Sequence, residues 1–114
     1  MPGKRPPPQP DAIITARLFG AAHRHVPAGW RDPEDAETEA AAAELREIAG
    51  GRADLLAEVA GLLMGTPDGD PYERRQQIAA RYLIAAGAGE EAIMPWITEG
   101  LRRAEVARKN RPRA

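Results

Sequence analysis

The chain has 114 residues, a net charge of −1 at neutral pH and no cysteine, which excludes disulfides, thiolate zinc sites and cysteine nucleophiles. Alanine is abundant, while aromatic and β-branched residues are few, a composition that favours helices over sheets. No stretch approaches the roughly 20 apolar residues of a membrane span, so we expect a cytoplasmic protein with no membrane contact.

The small net charge conceals a segregation of charge along the chain. The net charge is +4 over residues 1–31, −6 over 32–50, −4 over 51–100 and +5 over 101–114. Charge segments of opposite sign steer a protein toward a complementary partner.

The N-terminal quarter holds the least regular patterns. Residues 1–10 contain five prolines and are predicted to be disordered or polyproline II. Residues 11–31 stay undecided between a helix that carries Ile14 and Leu18 on one face and a short strand at 13–15.

Two Asp-Pro pairs predict where the next helices start. Asp32 and Asp70 are each followed by proline, and each is predicted to be an N-cap with the proline as first helical residue. Gly50 and Gly87 are predicted to end these two helices.

Residues 52–64 are predicted to form the central helix. Leucines and Val59 recur at helical spacing around most of its surface, which is typical of a helix surrounded by neighbours. Gly61 and Gly65 are assigned to its narrow polar side, beside Glu58.

Pro95 is predicted to begin the final helix, after a separate short turn, because proline fits the first turn of a helix. Gly100 costs the helix about 1 kcal/mol relative to alanine. A glycine at this position would be explained if it faces Trp96 or the backbone of a neighbouring helix. The helix is expected to run to Arg108, and residues 109–114 to form a frayed basic tail.

The residues suited to catalysis or metal binding are few and scattered. His23 and His25 are the only histidines, and a metal site needs three or four ligands. Glu58 and Arg81 interrupt apolar helices. They form a partly buried ion pair, mark a polar site between helices or, in the simpler interpretation, lie at the solvent edge of each helix. We therefore expect no metal, no cofactor and no enzymatic activity.

The basic C-terminal segment is the candidate nucleic-acid contact. Its six cations face one acid, Glu105, and such a segment neutralises phosphates with a salt-dependent affinity. No aromatic residue is interleaved for base stacking, so accessory nucleic-acid binding is the alternative hypothesis. The six residues are Arg102, Arg103, Arg108, Lys109, Arg111 and Arg113.

Three segments carry a resemblance: RDPEDAETEAAAAELREIAGGRADLLAEVAGLL, RRQQIAARYLIAAGA and IMPWITEGLRRAE. Together they resemble small uncharacterised helical proteins that are common in actinobacteria and their mobile elements. The resemblance covers roughly residues 31–105 and implies a helical fold and a bacterial source. It carries no functional residue, because such proteins have no assigned activity.

The whole sequence predicts an all-α fold, a compact bundle of four main helices over residues 32–108 with a further N-terminal helix left open and with disordered termini. The leading functional hypothesis is a non-enzymatic interaction module that binds a protein partner or a second copy of itself. The predicted core comprises Leu45, Ile48, Leu55, Leu56, Val59, Leu62, Leu63, Ile78, Tyr82, Leu83, Ile93, Trp96, Ile97 and Leu101.

Overall fold

A computed structural model describes residues 11–110, and this part of the chain forms five α-helices and no strand. The all-α prediction is confirmed for this range, whereas the expectations for residues 1–10 and 111–114 lie outside the described residues. The helices are α1 (Asp11–Arg24), α2 (Asp35–Ala49), α3 (Ala53–Met64), α4 (Glu73–Ala86) and α5 (Glu90–Lys109), with a 3₁₀ turn at Ala28–Trp30.

α1 is the N-terminal helix that the sequence left open. It buries Leu18, Ala21 and Ala22, none of which was in the predicted core. Gly20 lies on its exposed side with open space around it, so its flexibility weakens the helix without opening a gap in the packing.

α2 begins at Asp35, three residues after Asp32 and two residues later than predicted. Glu34 is the N-cap, and its N–H donates to the Glu37 carboxylate at 2.9 Å. Asp32 precedes the helix and accepts hydrogen bonds from Arg74 and Arg81 at 3.0 and 3.1 Å. The aspartate therefore holds α4 instead of capping α2.

α4 also begins three residues after its aspartate, at Glu73. The Asp70 carboxylate accepts the N–H of Tyr72 at 2.8 Å, so Asp70 caps a turn that leads into the helix. The ends of α2 and α4 agree with the predictions, because Gly50 and Gly87 follow them with φ of 57° and 129°, values that glycine adopts without strain.

α3 lies at the centre of the fold, as predicted, and contacts each of the other four helices. Most of the predicted core is buried, but Leu101 is 49% exposed, and it belongs to the surface of α5. The alanines at positions 41 and 42 are fully buried, so small side chains let α2 approach its neighbours closely. Among the predicted core residues, Ile48, Leu62, Trp96 and Ile97 are half-buried.

Pro95 lies inside α5, and the predicted break before it is absent. Proline lacks the N–H that would donate to Glu91, yet the helix continues on both sides. Ile93 and Ile97, on either side of the proline, both lie against Gly61 of α3. This shared packing surface explains why one helix spans the proline.

Glycines set the close approach of α3 and α5. A Cβ added to Gly61 would lie 2.3 Å from the Cβ of Trp96, and one on Gly100 would lie 3.0 Å from the carbonyl oxygen of Leu62. Gly61 and Gly65 are buried against α5, so their assignment to the polar side of α3 was wrong. The interpretation of Gly100 as facing a neighbouring backbone is confirmed.

Candidate interaction surface

α5 is packed on one side. Among the described residues, α3 is the helix with which α5 makes extensive contact, and Ile93 and Gly100 are the two residues of α5 that are buried. Met94 is 61% exposed and Leu101 is 49% exposed. α5 therefore presents large apolar side chains to solvent beside the face that contacts α3.

An open groove runs along this exposed side of α5. Its volume is about 430 Å³, and its walls come from α3, α4 and α5. Ile84 of α4 is 39% exposed and extends the apolar surface away from α5. The lining residues are Met64, Ile84, Glu90, Glu91, Ile93, Met94 and Ile97. Apolar walls that contain methionine and carry charge at the edge are typical of a surface that receives another protein.

The first pair of candidate nucleic-acid contacts shares one carboxylate within α5, which offsets half of the charge of the pair. Arg102 donates to the Glu99 carboxylate at 2.8 Å, and Arg103 does so at 3.0 Å. The guanidinium of Arg102, and after it that of Arg103, lowers the pKa of Glu99 from 4.5 to about 2.

The second pair of candidates has the same arrangement one turn further on. Arg108 and Lys109 lie 3.0 and 3.7 Å from the two carboxylate oxygens of Glu105. All four described candidates are exposed, and each lies within ion-pair distance of an acid on its own helix. Arg111 and Arg113 lie outside the described residues.

The two histidines contact different helices. The Nε2 atom of His23 contacts the Gln76 side chain of α4, whereas Nε2 of His25 lies 2.9 Å from the Glu44 carboxylate of α2. Because each ring has its own partner, the histidines do not converge on one site. Residues 11–110 contain no group of three or more His, Cys, Asp or Glu side chains arranged to hold a metal.

Glu58 and Arg81 are not brought together. Arg81 donates to Asp32, while Glu58 lines an open hollow of about 330 Å³ whose walls include Phe19, Leu62 and Arg103. Partial burial raises the pKa of Glu58, and the charge of Arg103 opposes that rise. Each residue lies at the edge of its helix, as the simpler interpretation expected.

Trp30 and Asp32 form a connection that the sequence analysis missed. Trp30 has φ of 54°, a left-handed conformation that is uncommon for a non-glycine residue. Its carbonyl oxygen accepts the Nε–H of Arg74 at 2.6 Å, and its ring lies 5.9 Å from that of Tyr72. Asp32 binds Arg74 and Arg81 just beyond. The only signal in the sequence was Pro33, which keeps the preceding aspartate out of the helix.

The geometry defines a five-helix bundle whose last helix exposes large apolar side chains, Met94 and Leu101 among them. Comparisons of the chain with family models, curated proteins and solved structures found no match. Across residues 11–110, no helix has both the length and the apolar character to cross a bilayer.

Proposed function

We propose that this chain is a non-enzymatic helical interaction module, and that it binds a protein through the exposed apolar surface of α5. The exposure of Met94 and Leu101 beside the groove carries this proposal. A partner that packs on such side chains removes them from water. This burial stabilises the complex by about 25 cal/mol per Å² of apolar surface.

Charge around the surface supports the same function. Glu90 and Glu91 lie at the N-terminal end of α5, and Arg108 and Lys109 lie in its last turn. A protein surface with the reverse order of charges would be oriented along this helix as it docks.

Nucleic-acid binding through the basic C-terminal segment is the second candidate. Its support is the exposure of Arg102, Arg103, Arg108 and Lys109. Glu99 and Glu105 offset two of these four positive charges, which weakens the attraction of the described part of the segment for phosphate.

Site-specific photo-crosslinking tests the proposal. A photoreactive side chain is placed at position 101 of the full-length chain, which is then illuminated in the cells that produce it. A matched variant carries the same group at Ala43, an exposed position on α2. We expect protein adducts from position 101 and none from position 43.

The composition of the adducts decides between the hypotheses. Protein adducts from both positions, or from neither, would contradict a partner on α5. Adducts that contain nucleic acid, and that no longer form when a lysate is brought to high salt before illumination, would favour the second candidate, because phosphate contacts weaken steeply with salt.

A further inference from the structure

The exposed face of α5 carries a stripe whose two ends have opposite charge. Six residues follow one another at spacings of four and three residues in alternation, which is the repeat of a helix that packs lengthwise against another helix. The stripe consists of Glu90, Met94, Ile97, Leu101, Ala104 and Arg108.

The stripe is symmetric about its midpoint, which lies between Ile97 and Leu101. If two copies of α5 lie side by side in opposite directions, Ile97 of each copy meets Leu101 of the other. The same alignment places Glu90 of each copy beside Arg108 of the other. A parallel alignment would bring like charges together at both ends, which is unfavourable.

We infer that the partner of α5 is a second copy of this chain, with the two α5 helices packed antiparallel along the stripe. The inference rests on the proposed function and identifies the protein that is bound. A two-fold axis at the midpoint makes the surface complementary to itself, as a closed dimer requires.

The stripe is accessible in the single chain. Met94 and Leu101 are exposed, whereas Ile97 is half-buried against the core and keeps part of its surface open to solvent. Ile93 and Gly100, which contact α3, lie to one side of the stripe. Ile84 forms the far wall of the adjoining groove, so a second helix would contact α4 as well as α5.

The ends of the stripe supply the charge complementarity that selects this occupant. Glu90 begins α5, where a carboxylate is favoured by the helix dipole, and Arg108 lies in the last turn, where a cation is favoured. Arg108 also lies 3.0 Å from Glu105 of its own helix, and the five N–H donors of its guanidinium allow it to bind Glu90 of the other copy at the same time. In the antiparallel pair each end charge therefore meets its opposite on the other copy.

Sedimentation equilibrium of the full-length chain tests the inference, with Glu90→Arg and Arg108→Glu as reversals of charge. Each variant alone places like charges at both ends of the dimer, and we expect its dissociation constant to rise about tenfold. An equimolar mixture of the two variants has opposite charges at both ends. We expect the mixture to recover the wild-type constant as a heterodimer.

Two control variants separate the contact from general effects of charge. Glu39→Arg makes the same charge change as Glu90→Arg, but on α2. Lys109→Glu removes a cation that also faces Glu105, one residue away from the stripe. Both are expected to dimerise like the wild type. A reversal that merely weakens α5 is not repaired by mixing, so recovery in the mixture identifies the pairing.

Three outcomes would overturn the inference. The first is a wild-type chain that stays monomeric up to about 100 μM, a concentration suited to a contact as small as one helix pair. The second is a dimer whose dissociation constant is unchanged by either charge reversal. The third is an equimolar mixture of the two variants whose dissociation constant stays as high as that of each variant alone. If the chain is monomeric while position 101 still crosslinks to other proteins, the proposed function survives and the self-association fails.

Discussion

Gly61 shows how much one methyl group matters at the contact between α3 and α5. In Gly61→Ala the new Cβ would meet the Cβ of Trp96 at 2.3 Å and the carbonyl oxygen of Ile93 at 2.7 Å. Both atoms are held by a helix, so α5 has to move outward. We expect the free energy of unfolding in urea to fall by about 1 to 3 kcal/mol.

Gly20 provides the matched control for that substitution. It lies within α1, and nothing lies within 4 Å of the position that its Cβ would take. Gly20→Ala should therefore raise the free energy of unfolding by about 0.5 to 1 kcal/mol through helix propensity. Equal effects of the two substitutions would mean that packing against α5 does not restrict Gly61.

Glu99 is the residue of α5 with the clearest pH dependence. Its pKa is about 2, first because Arg102 donates to it and then because Arg103 does. A lowered carboxyl pKa stabilises the fold above the unfolded value, and this stabilisation is lost as the pH falls from 4.5 toward 2. Carboxyl NMR titration should show the pKa of Glu99 rising toward its ordinary value in Arg102→Gln.

Arg108→Gln is the control for this titration. Arg108 lies beside Glu105, so its removal should leave the pKa of Glu99 unchanged. If both variants raise the pKa of Glu99 equally, that pKa is set by the long-range charge of the segment and not by the hydrogen bond from Arg102.

At the scale of the helices, the ends were easier to predict than the starts. Gly50 and Gly87 end α2 and α4 as expected, because a left-handed glycine stops a helix by local geometry. The starts depend on whether the capping side chain binds its own helix or a residue elsewhere in the fold. Asp32 was predicted to cap α2, but Arg74 and Arg81 come from more than forty residues away, and no local pattern contains that information.

Two errors within the helices have the same physical origin. Pro95 was predicted to start a helix and Gly61 was assigned to a polar side, and each assignment followed local propensity. The contact between α3 and α5 determines the outcome for both residues, because it needs small side chains on α3 and tolerates a missing N–H on α5. Such tertiary contacts regularly override propensity.

Pro95 offers a way to stabilise α5. Its ring is exposed, and alanine would restore the hydrogen bond to the carbonyl of Glu91. Alanine also increases the conformational entropy of the unfolded chain, which offsets part of this stabilisation. We expect Pro95→Ala to raise the free energy of unfolding by about 1 to 2 kcal/mol. Thermal unfolding measures this effect.

Pro67 serves as the comparison for Pro95, because it lies in the loop between α3 and α4. Pro67→Ala restores no helical hydrogen bond and should leave stability unchanged or slightly lower. A gain of the same size at both prolines would contradict the argument.

At the scale of the molecule, Tyr82 ties the connection after α1 to the core. Its ring is fully buried, and its hydroxyl donates to the carbonyl of His25 at 3.0 Å. Tyr82→Phe leaves that carbonyl without this donor, and we expect urea unfolding to show a loss of about 1 kcal/mol.

Tyr72→Phe is the matched variant for Tyr82. Tyr72 is 55% exposed, so water replaces its hydroxyl contacts, and the stability should change by less than about 0.5 kcal/mol. A comparable loss at both positions would show that the bond to His25 contributes nothing specific.

The candidate surface was less predictable than the fold. The basic residues were identified by counting charges, but Leu101 was predicted to be in the core. A helical stripe shows which residues share a face, whereas the neighbours decide which face is covered. Ile93 and Leu101 are both large and apolar, and only the position of α3 separates the buried residue from the exposed one.

The one-sided packing of α5 also has a consequence for how the chain opens. Since α5 buries few residues and contacts chiefly α3, it can detach while α1 to α4 keep most of their shared core. Its backbone amides should then exchange with deuterium through a local opening, with a lower free energy than those of α3 and α4. Exchange monitored by NMR would show α5 as a separate unit, and equal protection of α3 and α5 would show that they open together.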